Sequence, residues 1–322
     1  MYLLFYFLGI FNLLLAFAQQ PRLIVEMKTN TSIIRVHQCG SRRDLCLNTR
    51  GTNTIQSSIN MDEPLRAIHE YSNTMLCSLL WNPEPNNVLV IGLGGGVIPR
   101  TFRYYYPKTI IDIVEIDPNI VQIAKEHFLF KIDPLMNLFV NDARLYIRSV
   151  INQQLKTYDI IFSDAFTESD EGTPFHLKTV EYLFELKQLL SKQNGILVTY
   201  IQKDSSDYYN SRQTYSFVFK YNYAFSGQTC NCVVLVSYDN HLFPILTQTQ
   251  MINNAIIIQE NKQFMFNLTM EALKLENDEH KWSNSGTVLN DRARFVATIV
   301  GKNYFSFYSA IANDIKPSGS VY

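Results

Sequence analysis

NVLVIGLGGGVIPRTFRYYYPKTIIDIVEID, residues 87–117, is the stretch whose reading decides the fold. Val88–Ile91 is a short apolar run rich in β-branched residues, as expected of a parallel strand buried on both faces. Gly92, Gly94, Gly95 and Gly96 crowd the turn that follows, where side chains would block a close ligand. An amphipathic segment leads to a second apolar run, Ile110–Val114, which ends on Glu115. Strand, glycine-rich turn, helix, strand and acid make the βαβ unit that binds an adenosine-containing cofactor. The acid lies about twenty residues after the glycines, where its carboxylate takes both ribose hydroxyls. A purely structural βαβ crossover has the same outline, so the motif needs support from the rest of the chain.

The glycines help to separate two cofactor classes. In the dinucleotide fingerprint G-x-G-x-x-G the third glycine permits close helix–strand packing. Counted from Gly92 and Gly94, that place is held by Val97, which argues against a nicotinamide dinucleotide. The run Gly-Leu-Gly-Gly-Gly suits a site of the S-adenosylmethionine type, which binds no pyrophosphate.

Downstream, apolar runs alternate with amphipathic ones. Pro118 opens a helix through Ile120, Val121 and Ala124, and Asn137–Val140 is a third strand ending at Asn141-Asp142-Ala143-Arg144. Tyr158–Phe162 is a fourth, ending at Ser163-Asp164-Ala165-Phe166; a helix over Phe175–Leu190 and a fifth strand, Ile196–Ile201, follow. Residues 206–220 read as helical and Cys230–Tyr238 as a strand. This alternation predicts an α/β fold, a Rossmann-like parallel sheet with helices on both faces. Right-handed crossovers put Glu115, Asp142 and Asp164 on the one sheet edge where ligands bind.

Upstream, RLIVEMK, SIIRVHQ, RDLCLN and NTIQSSI are short β-prone runs separated by turn residues, a small antiparallel sheet. A helix is expected from Pro64 to Trp81, and Asn82-Pro83-Glu84-Pro85 is a stiff linker. The expected organisation is a leader over 1–18, a β domain with its linking helix over 19–82, a nucleoside-binding catalytic domain over 83–240, and a C-terminal extension over 241–322. In that extension Phe264–Leu275 is read as a helix and Arg292–Ile311 as partly helical.

Composition narrows the function classes. Hydrophobic residues at 47% and charged residues at 18% describe a globular chain with a substantial core. A net charge of −1, from 28 basic and 29 acidic residues, offers no electrostatic case for nucleic-acid binding. Tyr2–Ala18 is apolar apart from Asn12, and Ala16-Phe17-Ala18 is a small-x-small cleavage signal, which points to a secretory leader. No basic residue precedes the run, so an uncleaved membrane anchor stays open; once the leader is cleaved, no stretch is expected to cross a membrane. In an oxidising compartment Cys39 and Cys46 flank a turn and are candidates to pair. Cys230 and Cys232 would point to opposite faces of a strand and are not expected to bond to each other. No Cys/His spacing suggests a metal. Asn30 and Asn267 sit in glycosylation triplets.

Four motifs in order, GLGGGVIPR, VEIDP, NDARLYI and YDIIFSDAF, with Ile55-Gln56-Ser57-Ser58 and the β domain upstream, carry a family resemblance. Over roughly Arg22–Tyr238 the chain resembles the spermidine/spermine synthases, the polyamine aminopropyltransferases, and their class I methyltransferase relatives. The resemblance implies that Gly92, Gly94, Gly95 and Gly96 wrap the methionine-derived part of the nucleoside. It also implies that Glu115 takes the ribose, and that Asp142 with Ala143 takes the adenine. Gln56 and Asp164 would meet the acceptor, with Asp164 the catalytic aspartate that accepts a proton from the attacking amine. Residue chemistry agrees: a sulfonium needs little activation, whereas a protonated amine needs a carboxylate to hold and deprotonate it. A helix N-cap is the competing reading of Asp142, and a turn-capping carboxylate that of Asp164.

The departures bear on the reaction. The family's second acceptor-binding aspartate is replaced by Thr167, with Glu168, Asp170 and Glu171 after it. Its Tyr-His-Glu becomes Ile68-His69-Glu70, for which an exposed helix face is the plainer expectation. His176 reads as a surface or helix-start residue. The segment gating the polyamine pocket is missing, with Phe225–Thr229 near its place. The motifs and the Cys-Asn-Cys-Val-Val-Leu strand are also similar to a protein-lysine and N-terminal methyltransferase. The first expectation is thus an aminopropyltransferase using decarboxylated S-adenosylmethionine and a small amine, with no metal and a homodimer left open. The second is a methyltransferase using S-adenosylmethionine. A catalytically silent secreted binding protein of the same fold is the third.

Overall fold

The computed structural model describes residues 20–29, 32–48, 53–154, 156–166, 172–239, 243–276 and 286–292. The leader, Asn30, the loop 167–171 and the segment 293–311 lie outside them. The chain forms two units, Met1–Leu289 and Asn290–Tyr322. In the second, Asn290 accepts the Arg292 N–H at 3.0 Å in a turn.

Strands β1 (Arg22–Lys28), β2 (Ile33–Cys39), β3 (Arg42–Asn48) and β4 (Asn53–Asn60) form an antiparallel sheet in sequential order. Alternation puts Ile34, Val36, Leu45 and Ile59 on one face, where they meet Ile120, Ile123 and Phe128 in a core of their own. The second sheet has seven strands in the order β10-β11-β9-β8-β5-β6-β7: β5 (Asn87–Ile91), β6 (Ile110–Glu115), β7 (Met136–Val140), β8 (Ile160–Ser163), β9 (Ile196–Gln202), β10 (Tyr221–Ser226) and β11 (Cys232–Tyr238). β5 to β9 run parallel and the β10–β11 hairpin is antiparallel to β9. The chain leaves β5 towards β6 and later returns to its other side as β8, which makes the β5/β8 boundary the topological switch point where such sheets open a crevice.

Helices cover both faces: α1 (Glu70–Thr74), α2 (Val97–Tyr105), α3 (Pro118–His127), α4 (Ala143–Gln153), α5 (Val180–Leu189), α6 (Tyr208–Val218), α7 (Gln248–Lys262) and α8 (Leu268–Ala272). Three differences from the sequence expectation have physical causes. The helix expected from Pro64 to Trp81 is only α1 followed by a 3-10 segment, Met75–Leu80. All six residues of that segment are buried, so no polar stripe marks a 3.6-residue period. β10 departs from the expectation: Tyr223 and Phe225 are buried in the core, Tyr223 against Trp81 and Tyr238, rather than near a gate. Helix α7 was missed because its buried stripe is only Met251, Ala255 and Ile258 on a Gln- and Asn-rich background; a Thr247–Gln250 capping box starts it.

The cysteines also correct the expectation. Cys230 and Cys232 are bonded to each other: only Cys232 belongs to β11, so strand alternation does not separate them. Cys39 and Cys46 are not joined, since they stand opposite Arg42 and Arg35 in the β2–β3 register. Asn267, in a glycosylation triplet, is the N-cap of α8, accepting the Met270 N–H at 3.2 Å. Among the described residues no helix is long and apolar enough to cross a membrane.

Asp112 ties the sheet to its covering layer. It is fully buried in β6 and accepts from Tyr158 at 2.6 Å, Tyr146 at 3.0 Å and Asn137 at 2.9 Å, with Lys156 as its ionic partner. Asp112→Ala strands these donors and should cost about 3 kcal/mol, read as a lower urea midpoint with an unchanged slope.

Candidate active site

At the switch point two backbones meet. The Asp164 N–H donates to the Ile91 carbonyl at 2.9 Å, continuing the β5–β8 pairing. Gly92 follows with φ +90°, and a Cβ there would lie 2.5 Å from the Asp164 carbonyl oxygen, so no other residue fits. Gly94, at φ +51°, lies on the cavity wall. Gly95 and Gly96 are packed tightly against their neighbours. A Cβ on the first would sit 2.6 Å from Ser57 Oγ, and one on the second 2.8 Å from the Phe130 ring. Arg100 holds the turn from behind, donating to the carbonyls of Gly95 at 3.1 Å, Phe128 at 2.8 Å and Pro64 at 3.1 Å. Burial lowers its pKa to about 10, so it stays cationic.

Three carboxylates stand along the edge. Glu115 ends β6 almost fully buried, accepting the Leu93 N–H at 2.9 Å and the Asp117 N–H at 3.0 Å. Burial raises its pKa in spite of these bonds. Asp142 is the N-cap of α4: its Oδ1 accepts from Arg144 and Leu145, and its Oδ2 lies 3.0 Å from His176 Nε2. Burial opposes its ionisation, but the Leu145 N–H and His176 outweigh it and the pKa is lowered. Asp164, partly accessible on the cavity wall, accepts a bond from the Tyr71 hydroxyl at 3.3 Å. Burial pushes its pKa up to about 7, against the smaller opposing effect of Tyr71.

These groups line a cavity of about 180 Å³. Of the residues singled out in the sequence, Gln56, Gly92, Gly94, Glu115, Asp142, Ala143 and Asp164 are on its wall; Gly95 and Gly96 are not. The N-terminal sheet contributes Leu45, Leu47, Gln56 and Ser57, and Gln56 Nε2 is buried there without a hydrogen-bond partner. Sequence reasoning missed Tyr71, one residue past Ile68-His69-Glu70 and in contact with Asp164; the shifted Tyr in that motif was the available signal. His69 and Glu70 do not form an exposed face. His69 Nε2 lies 3.0 Å from Ser58 Oγ, and the Glu70 carboxylate holds Gln228, Thr229 and Lys274. His176 is at the cavity rim, not apart from it. Thr167, Glu168, Asp170 and Glu171 lie outside the described residues, which contain no cluster of three or more His, Cys, Asp or Glu able to hold a metal.

The fold and this glycine-and-acid edge define a Rossmann-like sheet of the class I methyltransferase type. Comparison with known proteins narrows the class. The spermine/spermidine synthase domain model matches residues 69–224. A polyamine aminopropyltransferase of Vibrio vulnificus is 32% identical over 282 residues, covering 85% of this chain and 90% of that protein. The chain therefore belongs to the spermidine/spermine synthase family. Among solved structures, human methyltransferase-like protein 13 in complex with SAH superposes with a TM-score of 0.56 at 24% identity, covering 61% of this chain and 93% of that one. A spermidine synthase in complex with the transition-state analogue AdoDATO gives 0.60 at 16% identity, covering 79% and 84%. Both share the fold.

Two outcomes test the site as built. Gly92→Ala forces a Cβ against the Asp164 backbone and should lower stability by about 2–4 kcal/mol in chemical denaturation. Asp164 gives a pH signature. Its folded pKa, about 7 against 3.8 for the free group, means the folded state holds the proton more tightly. That stability is present below the lower value and lost as the pH rises to the upper one. The melting temperature of Asp164→Asn should therefore gain on the wild type across that window and keep the gain above it.

Proposed function

We propose that this protein is an aminopropyltransferase that uses decarboxylated S-adenosylmethionine to alkylate a small amine. The observation that carries the reading is the charge on the cavity wall. Glu115, Asp142 and Asp164 all line it, and no lysine or arginine does among the described residues. Intact S-adenosylmethionine brings its own carboxylate into this acidic pocket, whereas the decarboxylated donor brings a sulfonium and an ammonium. The amine acceptor adds a further cation. Buried carboxylates whose pKa is raised when alone gain most from such partners.

In this reading Gly92 and Gly94 leave room for the donor's sulfur-bearing arm beside Asp164. Glu115 takes the ribose hydroxyls with the lone pairs its backbone donors leave over, and Asp142 offers Oδ2 to the adenine amino group. The acceptor reaches Asp164 as an ammonium. Asp164 takes one proton, the freed nitrogen lone pair forms the new N–C bond, and the C–S electrons pass to sulfur, which leaves as a neutral thioether. Tyr71 fixes the Asp164 oxygen it donates to and leaves the other for the amine. Holding nitrogen and carbon in line supplies much of the rate.

The likeness to an SAH-bound methyltransferase-like protein supports methyl transfer as the second reading. Calorimetry with the two donors separates them: the aminopropyl reading expects the decarboxylated donor to bind at least about tenfold tighter, roughly one lost charge–charge contact, and a preference for the intact donor reverses the order. Asp164→Asn should reduce turnover by roughly two to four orders of magnitude while changing donor affinity little. Full turnover in that variant removes Asp164 from the mechanism. A wild type that binds donor and alkylates no amine returns the chain to a silent binding protein.

A further inference from the structure

Tyr71 touches Asp164 from α1, a helix of five residues whose N-cap, His69, makes no capping bond from its side chain. A helix this short does not hold itself in place, so its position is set by what grips it. Three grips come from far along the chain. Glu70 accepts from the Gln228 N–H at 3.0 Å, and from the Thr229 N–H and hydroxyl at 2.7 and 2.6 Å, in the turn just before the Cys230–Cys232 bond. Lys274, just past α8, bridges Glu70 at 2.6 Å and Glu271 at 2.5 Å. Thr74, at the other end of α1, donates to Glu271 at 2.6 Å.

We infer that Lys274 is a positioning residue for the transfer reaction: through Glu70 and Glu271 it clamps α1 and thereby holds the Tyr71 hydroxyl on the Asp164 carboxylate. The charges leave little freedom. Lys274, Glu70 and Glu271 have side chains 5%, 12% and 9% exposed, so one cation serves two nearly buried carboxylates. Without it two like charges face each other at the root of α1. Burial opposes ionisation of Glu70, but the bonds from Lys274 and Thr229 prevail and hold its pKa at about 2, so the clamp is charged throughout the working range.

This inference rests on Asp164 acting as the base. Among the described residues Tyr71 on α1 and Tyr200 on β9 interact with Asp164 directly, Asp204 lies beyond Tyr200, and Glu115, Asp142 and His176 line the same cavity. Of these, Tyr71 donates to it and opposes the upward push of burial. Moving α1 away should raise the pH at which the amine-dependent kcat/KM rises.

The test is the pH profile of kcat/KM for the amine in wild type, Lys274→Met, Lys274→Arg and Tyr71→Phe, with donor Kd by calorimetry. Lys274→Met should shift the inflection upward, as Tyr71→Phe does, and lower kcat/KM at pH 7 by roughly 10- to 100-fold, the scale on which a misplacement of about 1 Å acts. Donor Kd should stay within about twofold of wild type, and Lys274→Arg should restore most of the loss. Should Lys274→Met fail to fold, Thr74→Val, which removes the hydroxyl bonded to Glu271, to the Glu70 carbonyl and to Lys274 but leaves the Lys274–Glu70 and Lys274–Glu271 pairs, should give a smaller shift in the same direction. An inflection moved by Tyr71→Phe but by neither Lys274→Met nor Thr74→Val overturns this inference alone. Unchanged kcat/KM in Asp164→Asn overturns the base assignment, and this one with it.

Discussion

The backbone contact between Gly92 and Asp164 is the constraint on which the rest of the site depends. β5 and β8 are neighbours up to this point, and beyond it their chains leave for opposite faces of the sheet. Because position 92 has no side chain, the ends of the two strands stay in contact while the crevice opens above them. The glycine turn and the candidate base are thus fixed relative to each other by main chain, not by side-chain packing. A transfer reaction needs this, since donor carbon and acceptor nitrogen must be held to a fraction of an ångström.

The acids on this edge are not equivalent, and the protein sets them apart by the bonds it offers. Asp142 receives two backbone N–H groups and His176, and ionises easily. Glu115 receives backbone N–H groups too, yet lies deeper, so burial wins and its pKa rises. Asp164 has a single, longer bond from a neutral phenol. A carboxylate so sparsely served holds a proton up to about pH 7, which is what a base that must give and take protons near neutrality needs.

The central βαβ unit, the parallel strands and the three edge acids were legible in the sequence because each left a local mark: an apolar run, a cluster of glycines, an acid at a strand end. Even Gly95 and Gly96 were read as glycines with a purpose, although their purpose is packing against Ser57 and Phe130. What stayed hidden was set by partners distant in sequence. Nothing local in Glu70 announces that its partner is Lys274, or that Tyr71 would reach Asp164 across 93 positions. The 3-10 segment Met75–Leu80 left no period because it is buried on every side, and α7 left a weak one because only a narrow stripe of it is. The Cys230–Cys232 bond was argued away by strand alternation, a rule that stops at the strand's first residue.

The small N-terminal sheet is joined by direct contacts to the glycine turn and to the helix that follows β6. Ser57 of β4 fills the space a Cβ of Gly95 would take, and Arg100 of α2 binds both the glycine turn and the Pro64 carbonyl just beyond β4. β2 to β4 pack on α3, the helix whose cap, Asp117, also donates its N–H to Glu115. A displacement of the sheet would therefore disturb Glu115, the glycine turn and Gln56 together. Gln56 Nε2, buried without a hydrogen-bond partner, is held by the same sheet on the wall of the cavity that Glu115 also lines. The strand-end acid, the glycine turn and the cavity-lining residues of the N-terminal sheet are thus tied together through direct contacts.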